Sequence, residues 1–218
     1  MIKAVLFDLD GTLLNTLADL TDASNHALSL VGSSKRRTLE EVRSYVGDGA
    51  RTQMTRILDN NVDDDLIEKT LRIYQAYYND HLVVNTVPYP GIPSLLDALR
   101  EKGIKTAVVS NKYTYATEVI CNTLLHGKID VLIGGEKGLK KKPAPDSLLK
   151  AASLLGVSPA DCIMVGDGTT DILSGIAAGM KTVGVSWGFR DSTLLKQAGA
   201  NDIAETVEEL AKLLLNED

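Results

Sequence analysis

No stretch of the chain is apolar for long enough to cross a bilayer, and no charged leader with a long apolar core precedes the first strand. Neither a membrane span nor a signal peptide is expected. Cysteine is scarce. Cys121 and Cys162 both stand among apolar neighbours and read as buried thiols, not a bridge, which fits a reducing cytoplasm. Positive charge is in deficit: 23 Lys and Arg face 29 Asp and Glu, a net charge of −6, so no basic face for duplex nucleic acid is expected. There are no repeats and no low-complexity tracts. The Gly-x-x-x-x-Gly-Lys-Ser/Thr phosphate loop, the Gly-x-Gly-x-x-Gly dinucleotide turn and the Gly-x-Ser-x-Gly nucleophile elbow are all missing. His26, His81 and His126 are scattered without metal-ligand spacing.

What is present fits a globular protein of 218 residues, one large domain or one domain with an insert; 44% of residues are hydrophobic and 24% charged. Ile2 to Phe7 is an apolar run of buried-strand type. Residues 16–82 then read as four helices and no strand. Leu17, Leu20, Ala23, Ala27, Leu28 and Val31 recur at helical spacing, and Thr38-Leu39-Glu40-Glu41 is a capping box. Further helices are expected from Ala50 to Leu58 and from Asp64 to Leu82. Val87-Pro88-Tyr89-Pro90-Gly91 is a stiff connector. Beyond it, helices alternate with nearly continuous apolar strands at Thr106–Val109, Ile129–Ile133, Cys162–Val165 and Thr182–Val185. That alternation predicts a parallel sheet covered on both faces, α/β in class, which the first strand joins. Residues 1–15 and 83–218 are therefore expected to form the core domain, and 16–82 an inserted all-helical domain.

In such sheets ligands sit at the carboxyl ends of the strands. The first strand ends in Asp8-Leu9-Asp10-Gly11-Thr12. If the strand held, Asp8 and Asp10 would share one side, at a repulsive cost of roughly 4 kcal/mol for charges about 4 Å apart at an effective dielectric near 20. A cation between them would reverse that sign, and clustered oxygens suit Mg²⁺. The other ends carry Ser110-Asn111-Lys112, Lys140-Lys141-Lys142-Pro143 and Gly166-Asp167-Gly168-Thr169-Thr170-Asp171. Ser110 and Asn111 are good helix N-caps and equally good donors to phosphate oxygens. Pro143 biases Lys142 towards an extended conformation that can aim its ammonium at the site, while Lys140 and Lys141 read as a solvated face. Asp171 falls in a first helical turn, where Asp is common. Asp167 is harder to explain as structure. Together these groups can bind a phosphate beside a divalent metal and deliver a carboxylate nucleophile to phosphorus.

These residues resemble the haloacid dehalogenase superfamily of phosphohydrolases over nearly the whole chain. Asp8-Leu9-Asp10-Gly11-Thr12 looks like its first motif, Ser110 its second, Lys142-Pro143 its third, and Gly166-Asp167 with Asp171 its fourth. Residues 16–82 are similar to its inserted helical cap, and Pro90-Gly91-Ile92 and Trp187-Gly188-Phe189 look like the phosphoglycolate phosphatase-like branch. The resemblance implies a Rossmann-like, doubly wound core. It implies Asp8 as nucleophile and Asp10 as acid and base. It implies Mg²⁺ held by Asp8, the Asp10 carbonyl and Asp167, with Asp171 a further contact or an orienting partner of Lys142. Ser110, Asn111 and Lys142, with Gly11 and Thr12, would hold the phosphate. Where many members carry Ser or Thr after the fourth-motif Asp, this chain has Gly168, one hydroxyl fewer around the metal.

Gly47-Asp48-Gly49-Ala50-Arg51 reads either as a plain helix–helix turn or as a loop that faces the leaving group, with Arg51 suited to a small acidic substrate. Arg190 reads as packing or as a substrate contact. The expected activity is Mg²⁺-dependent hydrolysis of a small phosphate ester of phosphoglycolate type. The alternatives are a phosphosugar mutase or pyrophosphatase of the same superfamily, and, outside enzymes, a phospho-accepting receiver-like switch. The expected partner is a small-molecule phosphate ester, with no nucleic acid and no membrane, for a cytoplasmic monomer or homodimer.

Overall fold

The computed structural model describes residues 2–60 and 62–215. The first apolar run forms β1 (Ala4–Phe7), buried along its whole length. A two-residue strand, β2 (Leu14–Asn15), leads into helices α1 (Leu17–Leu30), α2 (Leu39–Tyr45), α3 (Ala50–Ile57) and α4 (Asp64–Asp80). A second short strand, β3 (Val87–Pro88), returns the chain to α5 (Ile92–Glu101) and β4 (Lys105–Tyr113). The remainder alternates: α6 (Thr114–Leu124), β5 (Val131–Gly135), α7 (Asp146–Leu155), β6 (Cys162–Gly166), α8 (Thr169–Ala177), β7 (Lys181–Val185), α9 (Ser192–Gln197), β8 (Asp202–Ala204) and α10 (Val207–Leu215).

Among the described residues, six strands form one parallel sheet in the order β5-β4-β1-β6-β7-β8. Strand alternation divides β1 between two cores. Val5 and Phe7 pack in one with Leu95, Leu96 and Leu99 of α5; Ala4 and Leu6 pack in the other with Leu148, Ala151 and Leu155 of α7. Each such large side chain contributes about 1.5–3 kcal/mol by leaving water. Chain order reverses beside β1, with β4 and β5 on one flank and β6 to β8 on the other. The crevice beyond the carboxyl end of β1 is therefore the topological switch point, where this architecture places ligands.

Helices α1 to α4 form the segment between β2 and β3. The predicted capping box closes α2: the Thr38 side chain accepts from Glu41 N, and the Glu41 side chain accepts from Thr38 N. Asp63 caps α4 by accepting from Leu66 N at 2.7 Å. The expected stiff connector is in part a strand. Leu14 pairs with Pro88 and Asn15 with Val87 in an antiparallel ribbon, so both passages between sheet and helical segment run side by side. The Asp19 carboxylate pins the second passage, accepting from the backbone N–H groups of Val84, Asn85 and Thr86 and from the Asn85 and Thr86 side chains. The helix N-cap expected at Ser110 or Asn111 is not there. β4 continues to Tyr113, which is itself the N-cap of α6.

Candidate active site

β1 ends at Phe7, and the chain coils immediately after Asp8. Leu9 O accepts from the amides of Thr12, Leu13 and Leu14 at 3.3, 3.1 and 3.1 Å. Strand alternation therefore stops after Asp8, and the two carboxylates, though both line the cavities at this edge, take separate partners. Asp8 Oδ1 accepts from Lys142 Nζ at 2.8 Å. Asp10 Oδ1 accepts from Thr16 Oγ1 at 2.6 Å and Lys112 Nζ at 2.7 Å. Each carboxylate has its own cation, which relieves the repulsion read from the sequence.

Lys142 also donates to Val109 O at 2.6 Å, and its ammonium lies 2.6 Å from Asp171 Oδ1, an ion pair off the angles of a hydrogen bond. Burial works against its charge, but Asp171 and Asp8 outweigh burial and raise its pKa. Asp171 sits in the first turn of α8, and its Oδ2 accepts from Gly168 N at 2.9 Å. Asp167, directly after β6, accepts from Thr12 Oγ1 at 3.0 Å on Oδ1 and from Phe189 N at 2.7 Å on Oδ2. Two glycines make room for it. A Cβ on Gly11, at φ +85°, would lie 2.4 Å from Asp167 Oδ2, and one on Gly188 would lie 2.2 Å from Asp167 Cβ.

One carboxylate oxygen from each of Asp8, Asp167 and Asp171 lies within 4.8 Å of the other two. Burial, then the charges of Asp171, Asp167 and Asp10 against the relief from Lys142, pushes the Asp8 carboxyl up to about 8. Burial and Asp171 push Asp167 up to about 7, against hydrogen bonds from Phe189 and Thr12. Three carboxylates facing one ammonium leave excess negative charge. An all-oxygen donor set of this kind fits a hard divalent cation, which would cancel that excess.

The remaining expected residues fall in different places. Thr12 acts on Asp167, and its carbonyl accepts from Trp187 Nε1 at 3.1 Å. Ser110 is buried beside Asp8, with its Oγ accepting from Lys112 N at 3.2 Å. Asn111, expected to hold a phosphate oxygen, spends its amide elsewhere: Nδ2 donates to Gly47 O at 2.9 Å and Lys142 O at 3.1 Å, and Oδ1 accepts from Lys142 N at 2.9 Å. It positions the Lys142 backbone and ties it to the cap. Arg51, expected to face the leaving group, is ion-paired with Asp64 at 2.6 Å and Glu68 at 2.8 Å. It lines a side cavity with Asn111, Tyr113 and Lys141, not the two cavities that reach Asp8. Lys112 was missed. It lies in β4 beyond the register shift that follows Val109, yet it is a lysine with a 5% exposed side chain.

Two arginines fasten the cap. Arg190 donates to Arg43 O at 2.7 Å, Ser44 O at 3.2 Å and Val46 O at 2.6 Å, satisfying carbonyls at the C-terminal end of α2. Arg43 returns the contact, donating to Phe189 O at 3.1 Å and Gly188 O at 2.8 Å. Beneath them are two small cavities that share Asp8, Asp10, Val46 and Gly47. One, of about 40 Å³, is lined also by Gln53, Tyr74, Ser110 and Lys112; the other, of about 80 Å³, by Asp167, Asp171 and Arg190.

A sheet that gathers buried carboxylates at its switch point beneath a helical cover defines a phosphatase-type hydrolase. The chain belongs to the haloacid dehalogenase-like hydrolases, whose family model matches residues 5–185. It is similar to the phosphoglycolate phosphatase of Neisseria meningitidis, 40% identical over 91% of this chain and 86% of the relative. It is also similar to the N-acetylmuramic acid 6-phosphate phosphatase of Pseudomonas aeruginosa, 36% identical over 86% of this chain and 83% of that one. Among solved structures, a candidate phosphoglycolate phosphatase from Lactobacillus delbrueckii subsp. bulgaricus superposes with a TM-score of 0.93 at 34% identity, covering 99% of both chains.

Proposed function

We propose that the chain is a Mg²⁺-dependent phosphatase that hydrolyses a small phosphorylated hydroxy acid of phosphoglycolate type through an aspartyl-phosphate on Asp8. The observation that carries this reading is the division of roles at the turn after β1. Asp8 pairs with Lys142 and joins the carboxylate cluster, while Asp10 stands outside that cluster, paired with Thr16 and Lys112, and lines the same cavities.

In the first step an Asp8 oxygen forms a bond to phosphorus as the ester P–O bond breaks, and Asp10 gives its proton to the departing oxygen. In the second, Asp10 takes a proton from water, the water oxygen bonds to phosphorus, and the Asp8–phosphorus bond breaks. Lys142 and the Ser110 hydroxyl stand where they can hold the equatorial oxygens, on which transition-state charge is spread. Asp8, Asp167 and the Asp10 carbonyl would hold Mg²⁺, with Asp171 beside it, and the ion would neutralise phosphoryl oxygens. Gly11 shapes this pocket, and the helical cap, which a receiver-like switch has no use for, excludes water.

The size of the covered site supports a small substrate. A cavity of about 40 Å³ has room for a few water molecules' worth of atoms, enough for a two- or three-carbon leaving group. Both thiols are free and buried, which supports a reducing compartment, the cytoplasm, for an enzyme working as monomer or homodimer. The test is release of inorganic phosphate from a panel of phosphate esters with Mg²⁺. 2-Phosphoglycolate is expected to give a higher kcat/KM than sugar phosphates of hexose size. A hexose phosphate at the head of the panel would overturn the substrate class.

A further inference from the structure

Two lysines are buried at the mouth of the site, and they are used differently. Lys142 donates to Asp8 and Val109 O and is ion-paired with Asp171, so its charge is shared among groups of the carboxylate cluster and the strand beside it. Lys112 has one acceptor, Asp10 Oδ1, among the described residues. Its ammonium otherwise lies 4.9 Å from the centre of the Tyr78 ring, a cation–π contact that leaves N–H bonds free. Lys112 lines the small cavity between cap and core, with Gln53 and Tyr74 opposite. A buried cation with spare donors is poised for an anion.

Its position says which anion. Lys112 Nζ is 2.7 Å from the Asp10 carboxylate, the group set to protonate the ester oxygen. An anionic group one or two carbons from that oxygen is therefore within reach of the spare donors. In the proposed mechanism the phosphate bonds to Asp8, whose cation is Lys142, not Lys112. Arg51, occupied by Asp64 and Glu68, is not available for this task.

We infer that Lys112 is the specificity-determining residue that reads the substrate's carboxylate, selecting phosphate esters of 2-hydroxy acids over neutral esters of the same size. The inference rests on the acid-substrate reading above. It differs from a role confined to holding Asp10, which would serve every substrate alike.

The experiment measures kcat/KM of the full chain on 2-phosphoglycolate and on its amide, which has the same shape without the charge. The wild type is expected to prefer the acid. In K112M, and in K112Q, which keeps a donor for Asp10 should the first variant fold poorly, the acid-to-amide ratio is expected to fall by about 10- to 150-fold, the worth of a charge-assisted hydrogen bond. Most of that fall should appear in KM for the acid. K112R, with a cation restored, should regain part of the ratio. An unchanged ratio overturns the inference, whether both substrates lose activity together, as a pure Asp10-positioning role requires, or neither does. A wild-type ratio near one instead overturns the acid-substrate reading itself.

Discussion

Lys142 Nζ stands 2.8 Å from Asp8 Oδ1, and the peptide that carries it is held by Asn111, whose Oδ1 accepts from Lys142 N at 2.9 Å. Asp8, its cation and the residue that positions that cation come from three segments: the end of β1, the loop after β5 and β4 itself. Removing the ammonium leaves buried carboxylates facing each other. K142M is expected to lose about 3–5 kcal/mol of stability in chelator, and added Mg²⁺ should restore part of it. Urea denaturation with EDTA and with Mg²⁺ checks both; a variant as stable as wild type in EDTA would refute the ion pair's structural part.

Asn111 also joins the core to the cap through Gly47 O. Asn111→Ala should lower kcat/KM by about 10- to 100-fold, by loosening Lys142 and the closed cap together. The check is kinetics on p-nitrophenyl phosphate beside a circular dichroism spectrum that stays native.

The arginine clasp gives a separate handle on the cap. R190M removes three donors from the end of α2 while leaving every carboxylate of the site in place. The cap should open more often, lowering kcat/KM about 10-fold and exposing the β2–β3 passage to protease. Limited proteolysis at matched global stability tests this. Equal cleavage rates in variant and wild type would show that Arg190 does not restrain the cap.

Asp19 supplies a pH dependence of known sign. Burial opposes its charge, but hydrogen bonds from Thr86 and Asn85 prevail and hold its carboxyl below the usual range. Its stabilising effect is therefore full above the ordinary carboxylate pKa of about 4 and is lost as pH falls through the lowered folded value. D19A should cost about 2 kcal/mol at pH near 7, with the gap to wild type closing in strong acid. Urea midpoints of both proteins across that range test it. A gap that widens on acidification would contradict the assignment.

The legible part of the molecule was that built from apolar strands and what stands at their ends. The central strands carry continuous apolar runs, and topology then brings Asp8, Ser110, Lys142 and Asp167 to one edge. Three features stayed hidden for physical reasons. The β2–β3 ribbon has two residues a side, too short for periodicity to register. Lys112 lies past the expected end of its strand, and its burial depends on Asp10 and Tyr78, distant in sequence. Arg51 was misleading because its counter-charges, Asp64 and Glu68, reach it only once α3 packs on α4. The sequence showed a cation near the site but not that it was already neutralised.

If Asp8 carries the phosphoryl group between substrate and water, as proposed, a phosphorothioate ester made chiral by oxygen isotopes and hydrolysed in isotopically labelled water releases chiral inorganic thiophosphate. Two in-line displacements, onto Asp8 and then onto water, predict retention of configuration at that phosphorus. Inversion would mean a single direct attack by water, and would contradict the account.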